Sequence, residues 1–247
     1  MEKVVRSINP HLSVDCVIFG FSTSQLKVLL IQRDYINEEG IPAQDYKLPG
    51  DFITTREDLD HAAARTLNEL TGLQNIFLKQ FAVFGKPDRI SRKADLNWLK
   101  ATTGTEIHRV VTTAYFALIN ISESDRNYAL KNKASWIDVN RVPELAFDHR
   151  EIMEKGLNHL QNALRNEPIG FELLPEKFTI RKLQTLYQVI LNCKLDNRNF
   201  RKKILKAKYL VQLDEKQEGV AHKPAYFYSF DKITYDHNKK NSLGFNF

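Results

Sequence analysis

One segment constrains the chain more than any other: residues 48–73, LPGDFITTREDLDHAAARTLNELTGL. Residues 58–71 read as a helix, because Leu59, Ala63, Leu67 and Leu70 recur at i+4 and i+3 and Gly72 supplies a stop. Positions 66, 69 and 70 are spaced i, i+3, i+4, so they share one face of that helix. The residues there are Thr66, Glu69 and Leu70, a face with a single carboxylate.

The flanking pattern is one of strands. Residues 14–21 and 26–34 are β-branched or apolar runs separated by the short polar turn FSTSQ. A turn-rich loop with Asn37, Gly40 and Pro42 follows, then the short extended piece KLPGDFI. Residues 76–85 and 109–120 read as further strands, and SWIDVN (135–140) as a weaker one. Asp148 caps a helix to about residue 164, with Glu151 completing a capping box. Strands interleaved with amphipathic helices make this part an α/β sandwich. Between the strands, residues 86–107 form a long polar connection with a short helix around 94–99. Arg89, Arg92, Lys93 and Trp98 make it a candidate lid, dimer element or DNA contact.

Charge divides the chain where the α/β pattern ends. Residues 171–247 hold 15 Lys and Arg against 8 Asp and Glu, whereas residues 1–170 hold 21 against 22. The whole positive excess of a +6 chain therefore sits in the last third, which points to a polyanion partner for that part alone. The boundary falls in PIGFELLPEKFT (168–179), with two prolines and a glycine, so the domains are taken as 1–165 and 166–247. Cys16 and Cys193 are too distant and too few for a disulfide framework or a zinc site, which suits a reducing cytoplasm. The N-terminal residues lack the apolar core of a signal peptide, and no run is long enough to span a membrane. The tail from Asp236 is polar and expected to be poorly ordered.

In the basic third, residues 178–192 form an amphipathic helix with the stripe Leu183, Leu186, Tyr187, Ile190 and Leu191. After the break CKLD, Asp196 caps a second helix in which Phe200 and Ile204 face a core. Its other side carries Arg198, Asn199, Arg201, Lys202, Lys203 and Lys206. Two strands follow, YLVQL and AYFYSF, joined by a polar tip. Helix, turn, basic helix and a two-stranded wing is the order of a winged helix-turn-helix, whose second helix enters the major groove of double-stranded DNA. Arg and Asn suit bidentate contact with guanine and adenine. Arg198, Asn199 and Lys202 are therefore candidates for base readout. Arg201, Lys203, Lys206 and Lys223 are candidates for phosphate contact, with His222 beside them on the wing.

The segment 48–73 resembles the Nudix box, G-x5-E-x7-R-E-U-x-E-E-x-G-U, with U apolar. Glu57, Arg65, Leu67, Glu69, Gly72 and Leu73 match; Asp51 stands for the first Gly, Thr66 for a Glu and Leu70 for a Glu. In that family three carboxylates of this helix hold magnesium against a diphosphate, and magnesium demands oxygen ligands in near-octahedral array. The resemblance thus implies a Nudix fold, a mixed sheet between helices, from which metal binding and hydrolysis have been lost, so neither a cofactor nor an enzyme is expected. Joined to PIGFELLPEKFT and DNRNFRKKI, the box is similar to the Nudix-related transcriptional regulators, and more narrowly to their pentose-responsive, arabinose-type branch. That resemblance implies a homodimer on a palindromic operator, an effector in the first domain, and a pentose as that effector. Lys47, Asp51, Glu69, Tyr115 and His149 are the candidate effector-binding residues. The alternatives are an active Nudix hydrolase, or an ADP-ribose-responsive regulator, acting on a nucleoside diphosphate derivative.

Overall fold

The computed structural model describes residues 7–22, 24–123, 127, 129, 131, 133–166, 170–206, 209–221, 223–231 and 233–234. The tail from Asp236 and His222 lie outside the described residues. The chain divides into two compact units, Met1–Gly20 with Lys27–Asn158, and Phe21–Leu26 with His159–Phe247.

The first unit is built on a mixed sheet. Strands β1 (Ile8–Ser22), β2 (Gln25–Ile36), β3 (Pro42–Lys47), β4 (Gly50–Thr54), β5 (Lys79–Phe84), β6 (Val111–Asn120) and β7 (Ala134–Asp138) make a seven-stranded sheet. Its main path is β3-β2-β1-β6-β5, with β4 on β1 and β7 on β2. β2 pairs antiparallel with β3 from Ile31↔Lys47 to Ile36↔Pro42.

Helix α1 (Leu59–Thr71) starts as the sequence asks. The Asp58 side chain accepts from the His61 N–H, and Gly72 closes the helix in the left-handed region at φ 76°. Its apolar stripe, Ala62, Ala63 and Leu67, packs with Val14, Cys16 and Ile18 of β1 and Tyr115 and Ala117 of β6. Side chains alternate across a strand, so Asp15 points away from that cluster. Helix α2 (Lys93–Thr103) lies within the 86–107 connection and is longer than the short helix expected there. It buries Leu99 in a smaller core with Phe52, Ile90, Ile107 and Val110.

Helix α3 (His149–Asn166) forms where expected, but the carboxylates read as its capping box are committed elsewhere. Asp148 takes the guanidinium of Arg89, and Glu151 takes Lys86 and Lys155. The division between units falls inside α3, ahead of the 165/166 boundary expected from sequence. The helix runs on past the division, and Leu160 and Leu164 are fully buried.

The second unit contains α4 (Ile180–Leu191), α5 (Asn197–Lys206), β8 (Leu210–Lys216) and β9 (Tyr226–Phe230). The apolar stripe of α4 is buried as read, and Tyr187 meets Phe200 of α5 edge-on at 5.4 Å. The turn between α4 and α5 is locked by buried Gln184, which donates to the Leu195 carbonyl (2.9 Å) and to Asn197 Oδ1 (2.7 Å). Asp196 caps α5 by accepting from the Asn199 N–H at 2.8 Å. β8 and β9 pair antiparallel, and Phe178 adds a short bridge to Tyr228.

Candidate functional site

The first unit holds a cleft of about 860 Å³, within the range of small-molecule sites. Charged and aromatic groups line it together: Asp15, Lys47, Arg89 and His149 beside Phe52, Trp98 and Phe147. Gly50 is required at its wall, because a Cβ there would collide with the Asp15 carboxylate.

The aromatic side is held by an unusual cation. Arg33 of β2 is buried, pairs with Asp45 and Asp95, and places its guanidinium carbon 4.9 Å from the Tyr35 ring centre. The same carbon is 5.4 Å from the Trp98 ring and 5.1 Å from the Phe147 ring. Trp98 and Phe147 meet edge-on at 6.1 Å. Phe147 has φ 56°, a left-handed conformation rare for a bulky residue, and its N–H donates to Asp95. Strain of this kind costs of order 1–3 kcal/mol and gathers at ligand sites.

The polar side is a buried network. The Leu48 N–H donates to His149 Nδ1 at 2.9 Å, so that nitrogen carries a lone pair, and Nε2 faces Asp15 Oδ1 at 3.3 Å. Burial, helped by Lys47 and Arg89 and resisted by Asp15, pushes His149 down to about 4. Burial works to raise the Asp15 carboxyl, but His149 and Arg89 outweigh it and hold it below its ordinary value. Burial lowers the Lys47 ammonium against the pull of Asp15 and Asp51, and its Nζ donates to the Gly50 carbonyl at 2.9 Å. Arg89 is bidentate on Asp148, at 3.0 and 2.8 Å. Two buried cations facing an aromatic wall suit an anionic ligand that carries a flat ring.

The carboxylates retained in the box are gathered on Arg65. Its Nε and Nη2 bind Glu57 at 2.9 and 2.8 Å, and Nη1 reaches Asp51 at 2.9 Å and Glu69 at 3.2 Å. Hydrogen bonding to Arg65 pulls the Glu57 carboxyl down to about 2. Thr66 is fully buried, its hydroxyl without a hydrogen-bond partner among the described residues, and Leu70 packs against the α1 core. Among the described residues no group of three His, Cys, Asp or Glu is placed to hold a metal ion. The magnesium that a Nudix domain implies does not fit this donor set.

Of the five effector-binding residues expected from sequence, Lys47, Asp51 and His149 line the cleft. Glu69 and Tyr115 do not. Glu69 turns to Arg65, its i−4 neighbour on α1. Tyr115 is buried in the α1 core, and its hydroxyl donates to Asp60 at 2.6 Å. Burial, then Asp60, raises its pKa. Sequence reasoning missed Asp15 and Phe147, and it read Arg89 and Trp98 only as parts of a connection. A lone carboxylate inside the apolar run VDCVIFGF was the available signal for Asp15. A DNA-contacting role for the 86–107 cations is overturned for Arg89, which is buried against Asp148 and Asp15.

On α5, Arg198, Asn199, Arg201, Lys202, Lys203 and Lys206 are all exposed, while Phe200 and Ile204 are buried. Arg201 donates to the Tyr228 hydroxyl at 3.3 Å, and that hydroxyl donates to Gln212 of β8. Lys223 is exposed on the segment leading to β9.

Residues 9–156 match the family model of the NUDIX domain, and residues 170–230 match that of the NrtR DNA-binding winged helix domain. The chain is similar, at 31% identity over 236 residues, to the ADPR responsive transcriptional repressor NtrR of Acinetobacter baylyi, covering 93% of this chain and 86% of that protein. It is 27% identical over 154 residues to an ADP-ribose pyrophosphatase of Methanocaldococcus jannaschii, covering 62% of this chain and 77% of the other. Its fold matches the crystal structure of Shewanella oneidensis NrtR complexed with a 27mer DNA, with TM-score 0.70 and 27% identity over 91% of this chain and 95% of that one. The chain belongs to the Nudix-related transcriptional regulators of the NrtR type, a Nudix domain followed by a DNA-binding winged helix. Among the described residues no helix is long and apolar enough to cross a membrane.

Proposed function

We propose that this regulator binds ADP-ribose, or a close nucleoside diphosphate sugar, in the Nudix cleft without hydrolysing it, and that occupancy changes its grip on operator DNA. The observation that carries the reading is the pairing of buried Lys47 and Arg89 with Trp98 and Phe147 in one cleft. A diphosphate needs the cations, and a nucleobase suits the rings. The pentose expected from sequence gains no support: the relatives named for a ligand are named for ADP-ribose. Loss of hydrolysis rests on Thr66 and Leu70, which supply no carboxylate to the box. For the second unit, Arg198, Asn199 and Lys202 read bases, and Arg201, Lys203, Lys206 and Lys223 meet phosphates. The protein acts in the cytoplasm as a homodimer on a palindromic operator.

For the effector to act as a switch, it must bind the DNA-competent and DNA-incompetent states with different affinity. The test pairs thermal denaturation with fluorescence anisotropy on promoter DNA. ADP-ribose at about 100 times its Kd should add about 2.7 kcal/mol of stability and shift DNA affinity, leaving the ligand intact by mass spectrometry. L-arabinose should do neither. Stabilisation by the pentose and not by ADP-ribose would overturn the reading.

A further inference from the structure

We infer that the cleft takes its diphosphate as a free anion rather than as a magnesium complex: Thr66 and Leu70 supply no carboxylate, and Asp51, Glu57 and Glu69 are all hydrogen-bonded to Arg65. The inference rests on the diphosphate reading above and adds the form in which the ligand is bound.

Its ground is the donor arithmetic around one guanidinium. Arg65 donates to both oxygens of Glu57, to Asp51, to Glu69 and to the Phe52 carbonyl at 3.0 Å. A guanidinium has five N–H groups in a fixed fork, and here each finds an acceptor. Asp51, Glu57 and Glu69 are therefore all drawn onto a cation the chain already carries, while Asp58 caps α1 and Asp60 takes the Tyr115 hydroxyl. The two remaining box positions close the route: Thr66 is fully buried, and Leu70 belongs to the apolar cluster beneath α1.

Asp51 ties this cluster to the cleft, since it lines the cleft wall while its Oδ2 is held by Arg65. A ligand phosphate arriving there meets an Asp51 already hydrogen-bonded by Arg65, in a cleft that Lys47 and Arg89 also line. The cations that meet the diphosphate are then side chains of the protein. Magnesium in solution, which prefers oxygen ligands and retains its own waters, becomes a competitor for the ligand instead of a bridge to it.

Two measurements test this separately from the identity of the effector. In the first, the ligand-free protein is titrated with manganese, followed by the electron paramagnetic resonance signal of the hydrated ion. The wild type should leave the signal intact, and Arg65→Met, which releases three carboxylates, should deplete it. In the second, ADP-ribose binding to the wild type is followed by calorimetry in EDTA and in millimolar magnesium. The Kd in EDTA should be as low as in magnesium, or lower. Depletion of manganese by the wild type, or ADP-ribose binding only with magnesium, would overturn the inference. A folded Arg65→Met that ignores manganese would also count against it, and if that variant does not fold the wild-type arms decide. Failure of ADP-ribose to bind in either buffer would sink the effector reading instead, leaving the manganese titration to judge this one.

Discussion

Replacing His149 by Asn removes one buried proton site and gives a stability profile that can be worked out in advance. The Leu48 N–H donates to Nδ1, and Asn Oδ1 can take over that acceptor role; the Nε2 group that faces Asp15 Oδ1 at 3.3 Å is lost. In the folded chain burial holds His149 at about 4, whereas an unfolded His sits near 6.5. The folded value is the lower one. Below pH 6.5 the unfolded chain therefore binds a proton that the native state refuses, and stability falls as pH drops. The window runs from pH 6.5 down to 4. At about 1.4 kcal/mol per pH unit of separation, the loss is on the order of 3 kcal/mol, a large share of the stability of an ordinary domain. The lowered carboxylates overlap only the acid end: Glu57 falls from an ordinary 4.5 to about 2, so its loss begins at about pH 5, and that of Asp15 begins near its ordinary 3.8, which leaves pH 6.5 to 5 to His149. Exposed His61 has its pKa raised by its hydrogen bond to Asp58 and so tilts the other way. The assay is urea denaturation at steps from pH 7 to 4. His149→Asn should begin lower at pH 7, by about 1–3 kcal/mol for the group removed from Asp15, and then run flatter through the window. Parallel profiles for the two proteins would refute the reasoning.

Two further outcomes concern the second unit. Arg198→Ala should weaken operator binding by about 1–3 kcal/mol and relax base preference, read by anisotropy on matched and mutated sites; unchanged affinity would remove it from base readout. Gln184→Ala opens the two hydrogen bonds that lock the turn between α4 and α5, and should cost about 2 kcal/mol in denaturant unfolding, an expectation that a loss near zero would contradict.

Local rules made much of the fold legible. α1 has a periodic stripe and a terminal glycine, and it begins and ends within a residue of the reading. α4 and α5 were equally plain, because Leu183, Leu186, Tyr187, Phe200 and Ile204 stand at helical spacing on either side of a short break. The cleft was harder to see because its partners are remote in sequence. Residues 86–107 look like a solvated connection until Arg89 finds Asp148 and Asp95 finds Arg33. No local pattern announces either pair. Tyr115 falls in the α1 core rather than the cleft, and a local signal points there: it shares strand parity with Ala117 and Ile119, and all three face that core.

Phe147 leaves a residue at odds with itself. Its backbone sits where glycine is at ease, while its ring helps wall the cleft beside Trp98. Substitution there sets two energies against each other: glycine relaxes the main chain but strips the cleft wall and the ring's packing on Trp98 and the Arg33 guanidinium. No single replacement satisfies both, so backbone ease and wall integrity at this position have to be read by separate measurements.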